Sequence, residues 1–185
     1  MRPRRRRRTW AGCPAGGVDT PARTSRVRCI RRPCPTPSGS TTHHRQWTPQ
    51  SWRLIVVDAA GSRPFTLADL APAPLTRRVT LDCTSGWYAH QDWTGTPVRT
   101  LIRDVGDARS LHVRSVTGYW VRLPVTDLDD LLLATAVGGA PLSRGHGFPL
   151  RLVAPGRRGF WWVKWVDRIE LQTTPWWWQP PFPVT

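Results

Sequence analysis

The sharpest change in this 185-residue sequence falls near residue 45, where an arginine-rich segment gives way to alternating apolar and polar residues. Residues 1–45 hold 12 basic side chains and one acid among many Pro, Ser, Thr and Gly residues, with almost no apolar periodicity. Such a segment buries too little apolar surface to offset its chain entropy. We therefore predict a disordered tail over 1–45 and one folded domain over 46–185.

The predicted domain is nearly balanced in charge, with 15 basic and 11 acidic side chains. The chain has 12 Trp and a hydrophobic fraction of 39%, which is enough to build a core. It has no run of about 18 apolar residues, so no transmembrane helix is predicted. The basic start lacks an apolar stretch behind it and does not make a convincing export signal. The compartment is left open.

Short segments with strand-like alternation outnumber those typical of helices. Strands are predicted over 51–57, 77–83, 110–118, 149–155 and 160–172, the last as two short strands or one bent one. Short helices are predicted over 65–70 and 97–105, and a loop over 84–95. Residues 126–137 are predicted to begin as a capped acidic turn and to end in an apolar run. The pattern predicts an α+β fold with mixed, mostly short strands and a few short helices.

Cys83 stands at the end of one predicted strand, where the chain enters a loop containing Gly and Ser. Strand ends that lead into loops are common positions for functional groups. The residue alone leaves three roles open: a nucleophile, a soft metal ligand, or a buried structural cysteine. A cysteine protease would need His90, His112 or His146 close to it in space, and no local signature supports that class.

A second candidate site lies in residues 144–165, a block rich in glycine and in hydrogen-bond donors. Its glycines allow close backbone approach, and His146, Arg151 and Lys164 supply donors beside Arg157 and Arg158. Turn amides together with such donors favour an anion-binding concavity. The alternative is a basic loop between two strands. Lys164 is the only Lys in the chain, which favours a site that needs a compact point charge.

Three further features of the sequence, at the two ends of the chain, allow more than one interpretation. The run of arginines from 4 to 8 could bind nucleic acid or an anionic membrane, or be a solvated tail. Zinc ligation by tail residues fits no standard finger spacing; the candidate ligands are Cys13, Cys29, Cys34, His43 and His44. The adjacent Trp residues at 176–178 cannot all face one core, so they favour an interface or a segment folded back over the domain.

Three sequence stretches together resemble the molybdopterin-binding domain of the sulfite oxidase family. They are VTLDCTSGW, TGYWVRLP, and LLLATAVGGAPLSRGHGFPLRLVAPGRRGFWWVKWVDRIEL. The cysteine, the HGFPLR block, the PGxxG turn and VKW occur in this order, and the resemblance runs from about residue 47 to 185. Within this family, the motifs resemble those of the bacterial branch that includes the periplasmic methionine-sulfoxide-reducing catalytic subunit.

This resemblance implies a molybdenum–molybdopterin cofactor with one protein ligand, which falls on Cys83. His146 and Arg151 fall on positions that contact the pterin and its phosphate. Lys164 and the backbone of Trp162 and Val163 fall on a second cofactor-binding stretch. A thiolate suits such a metal and must be deprotonated to bind it.

The implied activity is an oxygen-atom-transfer oxidoreductase that exchanges electrons with a separate redox partner, which in this branch can be a membrane haem subunit. Relatives act outside the cytoplasm or at the membrane. We expect a monomer. Residues near Cys83 are the candidates for the substrate pocket, and these are Trp87, Tyr88, His90, Trp93 and, more weakly, Tyr119.

The sequence also departs from the family pattern. Animal and plant sulfite oxidases place arginines shortly after the cysteine, whereas Cys83 is followed by Thr, Ser, Gly, Trp and Tyr. We therefore expect a small neutral oxide rather than sulfite as the substrate. The arginine-rich start does not match the upstream segment that closes the cofactor site in relatives, so a truncated member without cofactor is one alternative.

A second alternative is a basic, non-enzymatic nucleic-acid-binding protein. Because the charge excess lies almost wholly in 1–45, we expect no nucleic acid on the folded domain itself.

Overall fold

The computed structural model describes residues 48–72, 74–83 and 88–180, in which ten strands form two sheets. The first sheet contains β1 (Leu54–Asp58), β2 (Gly61–Phe65), β5 (Ser110–Ser115), β6 (Trp120–Pro124) and β10 (Val166–Gln172). Its strand order is β2-β1-β10-β5-β6. The β1–β10 pair is parallel and the others are antiparallel.

The second sheet carries the candidate site. It contains β3 (Leu75–Asp82), β4 (Tyr88–Pro97), β7 (Leu132–Val137), β8 (Ala140–Pro141) and β9 (Arg151–Val153). Its order is β3-β4-β7-β8, and β9 also pairs with β7. All of these pairings are antiparallel. β3 is thus an edge strand, and the candidate metal ligand Cys83 follows its last residue.

One continuous apolar core is built from both sheets. Leu54, Val113 and Ile169 come from the first sheet, and Leu133 and Leu152 come from the second; each is fully buried. Strand alternation explains the pattern, because successive side chains point to opposite faces. Predicted strand segments supply part of this core, and another part comes from β4, β6 and β7, which were not predicted as strands.

The helical part of the expected α+β fold reduces, among the described residues, to 3₁₀ turns of three or four residues. These are Val98–Leu101, Val125–Asp127, Arg144–His146 and Gly159–Trp161. The fold is therefore mostly β. None of the helices in the described ranges is long and apolar enough to cross a bilayer.

The helix predicted over 65–70 is wrong. β2 ends at Phe65, and one turn follows in which the Thr66 backbone N–H donates to the Asp69 carboxylate at 2.7 Å. The Asp69 N–H donates back to the Thr66 hydroxyl at 3.2 Å. This reciprocal pair is the helix-start motif that the sequence signals. The Pro residues at 72 and 74 follow it at once, and Pro disfavours helical backbone in the residue before it, so the turn does not propagate.

The loop predicted over 84–95 is also wrong for its described part, because residues 88–95 belong to β4, the second strand of its sheet. β4 pairs along its length with β3 and at its end with β7. A Cβ on Gly95 would lie 1.9 Å from the Leu133 carbonyl oxygen, so β7 approaches the backbone closely there. Pairing on both sides outweighs the weak strand propensity of this Gly-, Asp- and Gln-containing segment.

The helix predicted over 97–105 is limited to the turn Val98–Leu101. The apolar side chains of this segment are buried at Val98, Leu101 and Ile102, which fits the turn to the core without a longer helix. Predictions for the tail, including disorder and zinc ligation, lie outside the described residues, and the boundary near residue 45 stays a prediction.

Candidate functional site

Cys83 is held against a glycine of the second candidate block. It is half-buried at the end of β3, and a Cβ added to Gly159 would lie 3.3 Å from the Cys83 Cα and 3.1 Å from the Asp82 carbonyl oxygen. Asp82 and Arg158 also form a parallel bridge beside this contact. A side chain at 159 would therefore push the two segments apart, so the glycine is what lets them meet.

Arg151 is the buried cation of the site. It is the first residue of β9 and is only 5% exposed. Its guanidinium lies 5.1 Å from the Trp93 ring centroid and 5.7 Å from that of Trp162. The two indole rings contact each other edge to face at 5.5 Å. Aromatic faces attract a cation and partly compensate its loss of water. The Arg151 side chain is thus fixed between two tryptophans.

The hydrogen bonds of Arg151 are incomplete. Its Nη1 donates to the His146 carbonyl oxygen at 3.2 Å, but its buried Nε has no partner among the described residues. Burial lowers the pKa of Arg151 to about 10, and the electrostatic interaction with Cys83 acts in the opposite direction. Buried donors in proteins are nearly always satisfied. An orphaned Nε here points to a missing acceptor.

Lys164 and His146 complete a donor cluster around the same glycine turn. Arg151 and Lys164 face each other in an antiparallel bridge, and the Lys164 Nζ donates to the Gly145 carbonyl oxygen at 2.6 Å. His146 is exposed, and its Nδ1 lies 2.7 Å from the Ser143 hydroxyl. Burial, followed by the positive charges of Arg151 and Lys164, lowers the pKa of His146. The cluster is electropositive and suits an anion.

Gly147 packs against the side chains of both Arg151 and Lys164. Its φ is +105°, and an added Cβ would lie 3.1 Å from the Lys164 Cβ and 3.3 Å from the Arg151 Cβ. Both neighbours are the first carbons of their side chains and cannot easily move aside. A side chain at 147 would therefore be strained and would separate the two cations.

A cavity of about 350 Å³ opens beside Gly159 and Lys164. Its other lining residues are Thr117, Tyr119, Phe160, Trp162 and Trp165. The Tyr119 hydroxyl donates to the Phe160 carbonyl oxygen, and burial raises the pKa of Tyr119 to about 12. Trp165 has a φ of +54°, the one positive value among described non-glycine residues. Such backbone strain is typical of functional sites.

The other expected substrate residues divide between two faces of β4. Tyr88 pairs with Asp82, directly before Cys83, and is half-buried. His90 is exposed on the same face and hydrogen-bonds to Thr80 at 2.7 Å. Trp93 lies on the opposite face, only 2% exposed, and packs under Arg151 rather than lining an open pocket. Trp87 lies outside the described residues.

The expected backbone contacts of Trp162 and Val163 are engaged within the protein. The Trp162 N–H donates to the Gly159 carbonyl oxygen at 3.1 Å, and the Val163 carbonyl accepts from the Leu152 N–H at 2.8 Å. The Trp162 indole donates to the Arg157 carbonyl oxygen at 3.1 Å. These bonds fix the wall of the site, and the cofactor contacts of this backbone stay a prediction.

Two features of the site were missed from the sequence. The Trp93–Arg151–Trp162 stack joins residues of three separate strands or loops, and no local pattern signals it. Ser143 accepts from the His146 N–H and begins the Gly-containing turn, and its position three residues before His146 is a recognisable capping signal.

Comparison with known proteins shows which family the chain is similar to. The family model of the oxidoreductase molybdopterin binding domain matches residues 40–178. Human mitochondrial sulfite oxidase is 29% identical over 161 residues, covering 67% of this chain and 30% of that protein. The sulfite oxidase of Macaca fascicularis is 42% identical over the same length and coverage.

Two further similarities extend the comparison. The inducible NADH nitrate reductase 2 of Glycine max is 32% identical over 99 residues, covering 44% of this chain and 11% of that protein. The sulfane dehydrogenase SoxCD structure from Paracoccus pantotrophus matches the fold with a TM-score of 0.63 at 23% identity, covering 70% of this chain and 40% of that one. The chain therefore spans less than a third of the length of these sulfite oxidases and of the nitrate reductase.

The family model covers most of the chain, which confirms the family, the oxidoreductase class and the molybdopterin cofactor expected from the motifs. The chain belongs to the oxidoreductase molybdopterin-binding domain family, within the sulfite oxidase group.

Proposed function

We propose that this domain is a molybdenum–molybdopterin oxidoreductase in which Cys83 is the protein ligand of the metal. The observation that carries the proposal is the contact between Cys83 and Gly159, beside an electropositive cluster whose buried Arg151 Nε lacks an acceptor. The family model supplies the cofactor, and the cluster supplies the donors that an anionic cofactor needs.

The residues present fit the cofactor. A half-buried thiol at a strand end can reach a metal as a thiolate, which is a soft ligand. Three kinds of hydrogen-bond donor surround one glycine turn: the planar guanidinium of Arg151, the compact ammonium of Lys164 and the imidazole of His146. No carboxylate of the described residues hydrogen-bonds to Arg151 or His146, which leaves these two donors available to phosphate.

The bound cofactor would supply two-electron oxygen-atom transfer, while the protein binds and orients it. Cys83 would hold the metal, and the Gly159 contact fixes the position of the Cys83 backbone. Arg151 and Lys164 neutralise the anionic end. Tyr119 fixes the cavity wall through its bond to the Phe160 carbonyl. These residues position the reacting centre and limit its contact with water.

We further propose a small neutral oxide as the substrate. Tyr88 is the described aromatic residue nearest in sequence to Cys83, and it shares a face of β4 with His90. An aromatic surface with one imidazole that can hydrogen-bond fits an uncharged sulfur or nitrogen oxide better than a dianion. Electrons would be exchanged with a separate redox protein, for which a membrane haem subunit is one candidate class.

The test is the metal and pterin content of the protein made in a host that synthesises the cofactor. We expect near-stoichiometric molybdenum by mass spectrometry and pterin by fluorescence after oxidation. Cys83→Ser should lose molybdenum while keeping much of the pterin, because the phosphate donors remain. Thr80→Ser is the matched control on the same strand and should retain both.

Three results would count against parts of the proposal. Full molybdenum in Cys83→Ser would remove Cys83 as the ligand. Pterin without molybdenum in the parent would show an intact cleft lacking a metal site. A folded parent with neither would overturn the proposal altogether and leave the truncated-member alternative.

A further inference from the structure

A basic groove runs along the outer edge of β3, on the side away from β4. Its volume is about 560 Å³, and its second wall is the loop that follows β9. The lining residues are Arg77, Arg78, Val79, Thr80, Asp82, Asp130, Pro155, Gly156, Arg157 and Arg158. The groove is distinct from the cavity that contains Tyr119 and Lys164.

The backbone of β3 is unpaired along this edge. β4 is its only strand neighbour in the described part of the chain, and the outer side is bridged only where Asp82 meets Arg158. That bridge is parallel, so the loop has already begun a strand pairing that ends after one residue pair. An open edge with free N–H and C=O groups is a template for an added strand.

The four arginines of the groove differ in how fully they are neutralised. Arg157 makes two bonds to the Asp127 carboxylate, at 2.7 and 2.9 Å. Arg77 donates to the Asp130 carbonyl oxygen at 2.8 Å. Arg158 lies 3.9 Å from Asp82, with both side chains 57% exposed. Ion pairs that are this exposed and this long contribute little.

The Arg78 side chain makes no hydrogen bond or ion pair with any described residue, and it is exposed. Charges on an edge strand also discourage aggregation, which alone would explain Arg78. It does not explain a second wall that carries Arg157 and Arg158 and faces the same open backbone. A walled, positively charged strand edge is suited to an extended ligand of negative charge.

We propose that this groove binds an extended acidic segment of a protein partner, which adds to β3 as a further strand. Main-chain hydrogen bonds to the β3 edge would supply affinity, and acidic side chains would contact Arg78 and Arg158. Asp82, at the end of the groove, directly precedes Cys83. A partner bound here lies next to the candidate metal ligand.

The test is a fluorescence-polarisation titration of the full chain with a labelled, capped decapeptide of alternating Asp and Val. Arg78→Glu should weaken binding by about fivefold or more, because it reverses a groove charge. Arg109→Glu is the matched control: Arg109 is exposed, its side chain makes no hydrogen bond or ion pair with described residues, and it lies before β5 in the other sheet. It should change affinity by less than about twofold.

Both variants keep the arginine-rich tail and have the same net charge, so any binding by the tail cancels in the comparison. A peptide in which alternate backbone nitrogens are methylated keeps its charge but cannot form all the main-chain hydrogen bonds to β3. It should bind the parent protein as weakly as the unmodified peptide binds Arg78→Glu. Hydrogen exchange of residues 75–82 should slow when the unmodified peptide binds.

Equal loss of affinity in Arg78→Glu and Arg109→Glu would overturn the groove as the site. Undiminished binding of the methylated peptide would overturn strand addition. A single-stranded oligonucleotide that displaces the peptide with the same dependence on Arg78, and with tighter affinity, would replace the acidic segment by a nucleic acid. None of these results depends on molybdenum content, so the inference can fail while the proposed function stands.

Discussion

At the scale of single residues, Arg151 shows how the structure adds to what the sequence predicts. The sequence predicts that Arg151 donates to the cofactor phosphate, and this role stays a prediction. The structure adds that its guanidinium is buried between Trp93 and Trp162, with an Nε that has no partner among the described residues. Burying a cation without a counter-ion is costly. A protein that keeps such a group retains it for binding rather than for stability.

We expect Arg151→Met to separate stability from cofactor binding. The substitution keeps an unbranched apolar stem between the tryptophans and removes the buried charge. The free energy of unfolding of the cofactor-free protein should stay equal or rise by about 1 kcal/mol. Pterin content should fall sharply in the same variant. Thermal denaturation of cofactor-free samples and pterin fluorescence measure the two effects.

Arg109→Met serves as the comparison, because this exposed side chain should affect neither quantity. A large drop in unfolding temperature for Arg151→Met, with pterin retained, would show that Arg151 has a structural role instead.

At the scale of elements, the sequence located strands better than helices. The segments over 77–83 and 110–118 alternate clearly, and both appear as strands, β3 and β5. β4 escaped detection because its pairing on both sides comes from distant parts of the chain. β6 was not predicted either. The two predicted helices are single turns in the structure. Each segment has a helix-start signal, but too few helix-forming residues follow it.

The joint between β1 and the turn Val98–Leu101 depends on one buried carboxylate, Asp58. It accepts hydrogen bonds at 2.9 Å from the backbone N–H groups of Ala60 and Arg103. Arg63 lies 3.4 Å from it, and Arg103 lies 3.9 Å from it. Burial alone would raise the pKa of Asp58, but the two backbone bonds and the two arginines together lower it below its ordinary value of 3.8.

This lowered pKa predicts acid sensitivity. The unfolded state binds the proton more tightly, so Asp58 stabilises the fold fully above the unfolded pKa and loses this effect as pH falls through the folded pKa. The unfolding temperature should therefore drop below about pH 4. Asp58→Asn should lower the free energy of unfolding at pH 7 by about 1–3 kcal/mol. The unfolding temperature of this variant should also depend less steeply on pH in the acid range.

Asp92→Asn is the control, since Asp92 is exposed and its side chain makes no hydrogen bond or ion pair with described residues. Scanning calorimetry from pH 7 to pH 3 measures both variants. If the unfolding temperature of Asp58→Asn fell with pH as steeply as that of the parent, the acid sensitivity would belong to other groups.

At the scale of the whole molecule, charge and aromatic surface are unevenly placed. Most of the excess positive charge belongs to residues 1–45. At the other end of the described chain, Trp176 stacks with Trp161 at 6.4 Å, whereas Trp177 and Trp178 are 67% and 70% exposed. The prediction that the three Trp cannot share one core is confirmed. Their role as an interface stays a prediction.

The uneven charge gives a test of the nucleic-acid alternative. The full chain should bind duplex DNA weakly, with an affinity that falls steeply as salt rises, because phosphate contacts release counterions. A protein lacking residues 1–45 should lose this binding, since the rest of the chain is close to neutral. Filter binding between low and physiological salt measures both. Retained, salt-sensitive binding after the deletion would favour a nucleic-acid role for the domain.

The sequence by itself determined the family, the cofactor and most strands of the core. Motifs such as HGFPLR and VKW preserve the order of donor residues, and strand alternation is a local property that needs no partner. Arg151, Lys164 and Cys83 could therefore be named in advance as one candidate site.

Only the tertiary structure decided how these residues meet. The Gly159 contact with Cys83, the Trp93–Arg151–Trp162 stack and the open edge of β3 each join segments far apart in sequence. Burial and edge position arise from the packing of the whole chain, so no local pattern encodes them. Whether a donor is buried and orphaned, or exposed in a groove, follows from that packing alone.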